Sequence, residues 1–227
     1  MDHSRNPFMD VLDSVVERVV EYRKPIIAGV VLVGVGLASF AGYRYYQKIA
    51  NMRAHQDFIA AVKLFESSVK ATNANLDKWD PVIKAFEDGY KNNKSTQLGA
   101  AFLAYQADIL LKMNKFDDAL ALLKKATDAM SVKEVKACYE LKLALVMLDS
   151  SREALEQEGL AKLLTLAQTP GSAHEQALYH LGLYYWVKQD FDEAKNYWQQ
   201  FMVKYSTEKS LSDLTDTVRA HLELLAV

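Results

Sequence analysis

Residues 174–198 read HEQALYHLGLYYWVKQDFDEAKNYW. Within them Tyr179, Leu183 and Trp186 stand at i, i+4 and i+7, so they share one helix face. The pattern predicts a helix over 173–188 and a second over 191–205. The second helix opens on Asp190-Phe191-Asp192-Glu193-Ala194, and nearly the same run occurs earlier as Lys115-Phe116-Asp117-Asp118-Ala119. Aligned on Ala119 and Ala194, which are 75 residues apart, Leu103 falls with Leu178, Ala107 with Gly182, Leu110 with Tyr185 and Leu123 with Trp198. Self-similarity of this kind marks stacked helical units that bury a core only against one another.

Working outward, the same periodicity predicts helices over 96–113 and 116–130, joined by Asn114-Lys115, a link so short that the two must run antiparallel. Helices over 134–148 and 152–168 make another pair, which ends at Thr169-Pro170-Gly171, residues that stop a helix. The 75-residue spacing leaves room for this degenerate pair between the two clearer ones. Ahead of them, Phe58, Val62, Phe65 and Val69 form one stripe, and Trp79, Val82, Ile83, Phe86 and Tyr90 form a second. Pro81 suits a first helical turn, where its missing N–H costs nothing. Leu211, Leu214, Val218, Leu222 and Leu225 belong to a last helix. With nine Gly, four Pro and no alternating apolar run outside the N-terminal segment, the fold class is all-α.

These units resemble the tetratricopeptide repeat. In that repeat small residues at the eighth and twentieth positions let two helices touch, and larger ones fill the fourth, eleventh and twenty-fourth. Gln106 departs from the pattern, since it takes the seventh position, where Leu181 stands in the clearer unit. The resemblance implies a solenoid of helical hairpins closed by a C-terminal capping helix.

The N-terminal part carries a different signal. Residues 25–43 are nineteen without a charge, set between Arg23-Lys24 and Arg44. As a helix they cover roughly 28 Å, close to the hydrocarbon thickness of a bilayer. Their apolar residues lie on every side, and Tyr22, Tyr43, Tyr45 and Tyr46 flank them at headgroup level. We read residues 25–46 as a single membrane span. A cleaved secretory signal and a buried soluble helix are the rival readings, and the run exceeds the usual signal core of roughly seven to fifteen residues. Before it, in 1–24, Phe8, Leu12, Val15, Val19 and Tyr22 form an amphipathic lead-in helix. Behind it, residues 51–227 are the repeat domain. Gly34, Ala38 and Gly42 fall four apart, a seam along which a second helix could pack and through which a homodimer could form. Basic residues balance on the two sides, so charge does not orient the span.

The order of span, loose helix pair, Phe86-Glu87-Asp88-Gly89-Tyr90, repeats and final helix resembles the YfgM-like membrane-anchored tetratricopeptide proteins. That resemblance implies a bacterial inner-membrane protein with its repeats in the periplasm, associated with the Sec translocon and with a membrane-anchored periplasmic chaperone. A scaffold of another envelope or cytoplasmic-face complex would use the same fold.

Lys plus Arg number 27 against 29 Asp plus Glu, with no basic excess for nucleic acid. Cys138 is the single cysteine, expected as a packed thiol, and the five histidines show no ligand spacing. No metal, cofactor or catalytic constellation is expected, and an enzyme is the remote alternative. The candidate site is the repeat groove. The resemblance places Gln176, Tyr179, Leu183, Trp186 and Val187 along it in the clearer unit, and Ala101, Ala104, Asp108, Leu111 and Lys112 in the earlier one. Either that strip is open to a partner, or the last helix or a neighbouring repeat covers Tyr179, Leu183 and Trp186 as core.

Overall fold

The computed structural model of the chain describes residues 23–71, 76–206 and 214–225, with side chains from Val33 onward. The lead-in face from Phe8 to Tyr22 lies outside these residues, as does Leu211. All regular structure among the described residues is helical. The chain divides into two units, Met1–Met52 and Arg53–Val227.

In the first unit the described backbone belongs to α1 (Arg23–Lys70), a helix that continues into the second unit. Val33, Val35, Leu37, Phe40 and Tyr43 all show more than half their surface to solvent. The Arg44 guanidinium lies 5.9 Å from the Phe40 ring centre. Among the described residues no helix is long and apolar enough to cross a membrane. Residues 25–32 of the uncharged run have no described side chains.

The second unit begins with an aromatic nest. Phe58 meets Phe102 and Tyr105 edge-on, at 5.2 Å each, and Phe86 stacks on Tyr105 at 5.1 Å. Such pairs add to the burial of apolar area about 0.5–1.5 kcal/mol each. Asn93 closes the nest, its amide donating to Asp57 at 2.8 Å and to the Gly89 carbonyl at 2.9 Å. Trp79, expected inside the second helix, lies in a 3-10 turn (Leu76–Trp79), and α2 (Asp80–Asn93) starts directly after it with Pro81 in its first turn. Val69 differs from expectation: it is exposed, one turn beyond Phe65, whose ring packs against Trp79.

Three hairpins follow: α3 (Gly99–Lys112) with α4 (Phe116–Ala129), α5 (Lys133–Leu148) with α6 (Glu153–Gln168), and α7 (His174–Val187) with α8 (Phe191–Tyr205). Each hairpin packs on the next, and α9 (Leu214–Leu224) packs on α8. The first and third turn the same way. Asn114 at φ 58° and Gln189 at φ 62° take the left-handed conformation. In both hairpins the next amide then bonds back to the first helix, Lys115 to Leu110 and Asp190 to Tyr185, at 2.8 and 2.9 Å. This is a Schellman stop, in which a left-handed residue lets the chain satisfy the last helical carbonyls and reverse. Small residues then set the contact between paired helices: Ala107 and Ala119 in one hairpin, Gly182 and Ala194 in the other, all buried.

The middle hairpin obeys the same physics at a different spacing. Gly159 lies against Ala144, where an added Cβ would sit 2.8 Å from the carbonyl oxygen. Ala144 and Gly159 are fifteen residues apart, whereas the small pairs on either side are twelve apart. That offset is why the middle pair reads as degenerate in the sequence.

Candidate protein-binding surface

Two of the hairpins' first helices, α3 and α7, carry the candidate residues. On α3, Ala104 is buried beside Leu103 and Ala126, with Tyr90, Leu122 and Tyr139 packed around them. Asp108 pairs with Lys142 of α5. Burial raises the Tyr139 hydroxyl above its usual range, and the Asp108 carboxylate pushes it the same way. Leu111 is half-buried against the next cluster, Ala101 is also half-buried, and Lys112 is exposed. In the earlier unit, therefore, Ala104 and Asp108 are engaged by the neighbouring α5, and Lys112 remains at the surface.

On α7 the expected face exists, and α9 lies on it. Tyr179, Leu183 and Trp186 are half-buried in one cluster with Trp198 and Phe201 of α8, with Val218 and Leu222 of α9 and with Leu225 directly after it. The His221 ring of α9 stands 4.7 Å from Trp198, 6.1 Å from Trp186 and 6.5 Å from Tyr179. Trp186 also meets Phe191 edge-on at 5.3 Å. Gln176 is exposed, and Val187 shows 75% of its surface. Phe201 and His221 are the members of this arrangement that sequence reasoning did not place on the face; for His221 a signal was there to be read. Its signal was its place one residue before Leu222, beside the apolar stripe of α9.

On the other flank of α7, polar groups tie the helix to its neighbours. Tyr184 donates to Glu156 of α6 at 2.9 Å, and Lys188 reaches the same carboxylate at 2.6 Å. These bonds hold Glu156 below the usual carboxylate range. The Tyr184 hydroxyl is pushed up to about 12 by burial and then by Glu156. His174, nearly buried, lies 2.7 Å through Nδ1 from the Tyr205 hydroxyl. Cys138, expected as a packed thiol, is exposed, with its Sγ 3.6 Å from Ser172 Oγ. It lies on the rim of α5 because Leu141 and Ala144 take the core-facing positions. Among the described residues no group of three His, Cys, Asp or Glu could hold a metal ion.

Stacked hairpins with small residues at matched contacts, a Schellman turn repeated 75 residues on and a single closing helix define the architecture. The tetratricopeptide repeat-like domain family matches residues 20–226. The chain belongs to that family. No curated protein and no solved structure matches it. Tetratricopeptide repeat-like domains are protein-interaction modules, typically without catalytic activity, and the all-α hairpin stack described here is a domain of that kind. Solenoids of stacked repeats form extended concave surfaces. Of the candidate residues, the aromatic ones, Tyr179 and Trp186, lie on α7.

Proposed function

We propose that this chain is a membrane-tethered, non-catalytic interaction module of a bacterial inner membrane, with its tetratricopeptide domain in the periplasm. There it holds partners near the Sec translocon, beside a membrane-anchored chaperone, as its resemblance to the YfgM-like proteins implies. The observation that carries the tether is the uncharged run of 25–43, whose described part presents Val33, Leu37 and Phe40 at 62–66% exposure. Water does not favour so long an apolar surface on one helix, and a lipid phase does. The family match beginning at residue 20 includes the run, which favours a tether belonging with the domain. Gly34, Ala38 and Gly42 are exposed, and a Cβ built on either glycine meets nothing within 4 Å, so the seam is free for a second helix of the same kind.

The test uses Cys138, the single cysteine and an exposed one. A membrane-impermeant maleimide added to intact spheroplasts should label Cys138, and the protein should stay with membranes after carbonate extraction. Labelling only after permeabilisation would move the repeats to the cytoplasmic face and favour a scaffold there. Release by carbonate would remove the tether. Crosslinking from the labelled domain to translocon subunits then tests the partner assignment itself.

A further inference from the structure

Where the uncharged run ends, α1 stops being apolar on every side and becomes two-faced. Ala54 and Ala61, at i and i+7, are buried on one side of the helix. Turned away from them, Val35, Ala38, Gly42, Tyr45, Ile49 and Met52 follow one another at alternating steps of three and four, the spacing of a coiled-coil seam. Val35, Tyr45 and Met52 each show more than half their surface, and Ile49 is half-buried. A Cβ built on Gly42 meets nothing within 4 Å. This stripe of one helix is exposed although its spacing is that of a buried one.

Charge on the flanks decides what fits. Between Glu21 and Asp57 the sequence holds no carboxylate, but it holds Arg23, Lys24, Arg44, Lys48 and Arg53. Asp57 is itself engaged by the Asn93 amide at 2.8 Å. Lys48 and Arg53, both exposed, border the stripe at the two places that meet across a parallel pair of helices. In two copies of this chain Lys48 of one would face Arg53 of the other, and like charges at those places oppose the pairing. An acidic helix meets the opposite sign at both. A lipid surface covers too little of the stripe. At about 1.5 Å per residue Met52 stands roughly 13 Å past Tyr43, beyond a headgroup layer of about 5–7 Å.

We propose that this stripe of α1 is a docking seam for a helix of another membrane protein. That helix leaves the bilayer beside α1, with apolar residues on its facing side and Asp or Glu on its flanks. The proposal deepens the interaction-module reading and rests on its membrane tether. The apolar stripe supplies contact area, and the flanking cations choose the partner. Ala38 and Gly42 let a second backbone approach closely within the bilayer, where packing holds helices together.

The probe is a fluorescent heptad peptide with Leu at its facing positions and Glu on its flanks, titrated into the full chain in detergent beside a Lys-flanked twin. The Glu peptide should bind at least tenfold more tightly than the Lys peptide, and high salt should narrow the gap. The Lys48→Glu, Arg53→Glu chain should reverse the preference, and the Tyr45→Asp, Met52→Asp chain should lose at least tenfold for the Glu peptide. All four side chains are exposed, so these variants should melt as wild type does, and lost binding then reports the seam. Equal binding of the two peptides, or a charge reversal that leaves the preference unchanged, would overturn the proposal. A concentration-dependent dimer of wild type that Met52→Asp dissolves would assign the seam to a second copy and also overturn it. So would binding to phosphatidylglycerol over phosphatidylcholine nanodiscs, lost on charge reversal, without any peptide preference, since the flanks would then serve lipid. Peptide binding is read in detergent, so it can fail while carbonate extraction still shows a tether. Release by carbonate would remove the tether reading whatever the peptides do.

Discussion

The backbone of Gly182 on α7 lies flush against the indole of Trp198 on α8, and a Cβ at 182 would sit 2.1 Å from Nε1 and 2.4 Å from Cδ1. The indole is held in place, since Nε1 donates to the Tyr179 carbonyl at 3.3 Å and the ring is fully buried. Alanine is the better helix former by about 1 kcal/mol, but overpacking a filled core costs typically 1–3 kcal/mol. We expect the clash to win: Gly182→Ala should lower the melting temperature by a few degrees, and adding Trp198→Leu should recover part of the loss. An equal or higher melting temperature for Gly182→Ala alone would mean that the indole yields freely.

Gln106 presents the opposite case. It is 5% exposed, and its Nε2 finds no hydrogen-bond partner among the described residues. Its counterpart 75 residues on is Leu181, wholly buried in an apolar cluster. An unpaired buried amide costs about 1–3 kcal/mol. Gln106→Leu should therefore raise the urea midpoint with an unchanged slope, by about 1 kcal/mol or more. A lower midpoint would show that the amide is satisfied by water.

The fold class and most of the hairpin stack were legible from the sequence, because helix periodicity and the two matched pentapeptides each carry a direct physical signal. The middle hairpin was legible as helices but not as a repeat unit, since Ala144 and Gly159 meet at a longer spacing. The candidate strip was legible as a face: Tyr179, Leu183 and Trp186 do lie together. That α9 rests on it stood only as one alternative to an open strip, because an amphipathic helix shows which side it buries and not against what. Cys138 was misread because a thiol among apolar neighbours in sequence need not point inward, and its own helix turns it to the rim.

His174 gives the domain an acid-sensitive contact. Burial holds its pKa below the usual histidine value, and the Lys204 ammonium, 3.5 Å from Nε2, acts in the same direction. A histidine kept neutral in the fold takes up its proton first in the unfolded chain. Its contribution is therefore whole above about pH 6.5 and is lost as pH falls below that value. Half-buried His180 is shifted the same way by burial. The melting temperature should fall between pH 7.5 and pH 5.5, and His174→Gln should flatten part of that fall. If His174→Gln falls as steeply as wild type, the acid sensitivity lies elsewhere. Glu156, held low by Lys188 and Tyr184, contributes in full at neutral pH and loses that contribution only in a more acidic window, as pH falls below the usual carboxylate value, so the two effects separate along the pH axis.

The two matched turns each hold one well-suited residue and one poorly suited one. In the first, Asn114 takes the left-handed position, which asparagine tolerates, but Lys115 at the N-cap of α4 makes no side-chain cap. In the second, Asp190 caps α8 by accepting from the Glu193 amide at 3.2 Å, but Gln189 sits at φ 62° without the short polar side chain that eases that conformation. The N-cap backbones nearly coincide, with φ −93° and ψ 68° at Lys115 and φ −88° and ψ 79° at Asp190. A residue suited to one turn should therefore suit the other. Lys115→Asp should stabilise by about 0.5–1 kcal/mol, through a new bond to the amide of residue 118 and a negative charge at the helix N-terminus. Gln189→Asn should stabilise by a few tenths of a kcal/mol, roughly, and Gln189→Gly by more, since glycine meets no penalty at positive φ. Asp190→Ala should cost about 1 kcal/mol. Because the turns lie in separate hairpins, the two stabilising changes should add in a denaturation series. A Lys115→Asp chain less stable than wild type would break the equivalence, and with it the claim that one turn geometry, repeated after 75 residues, builds both hairpins.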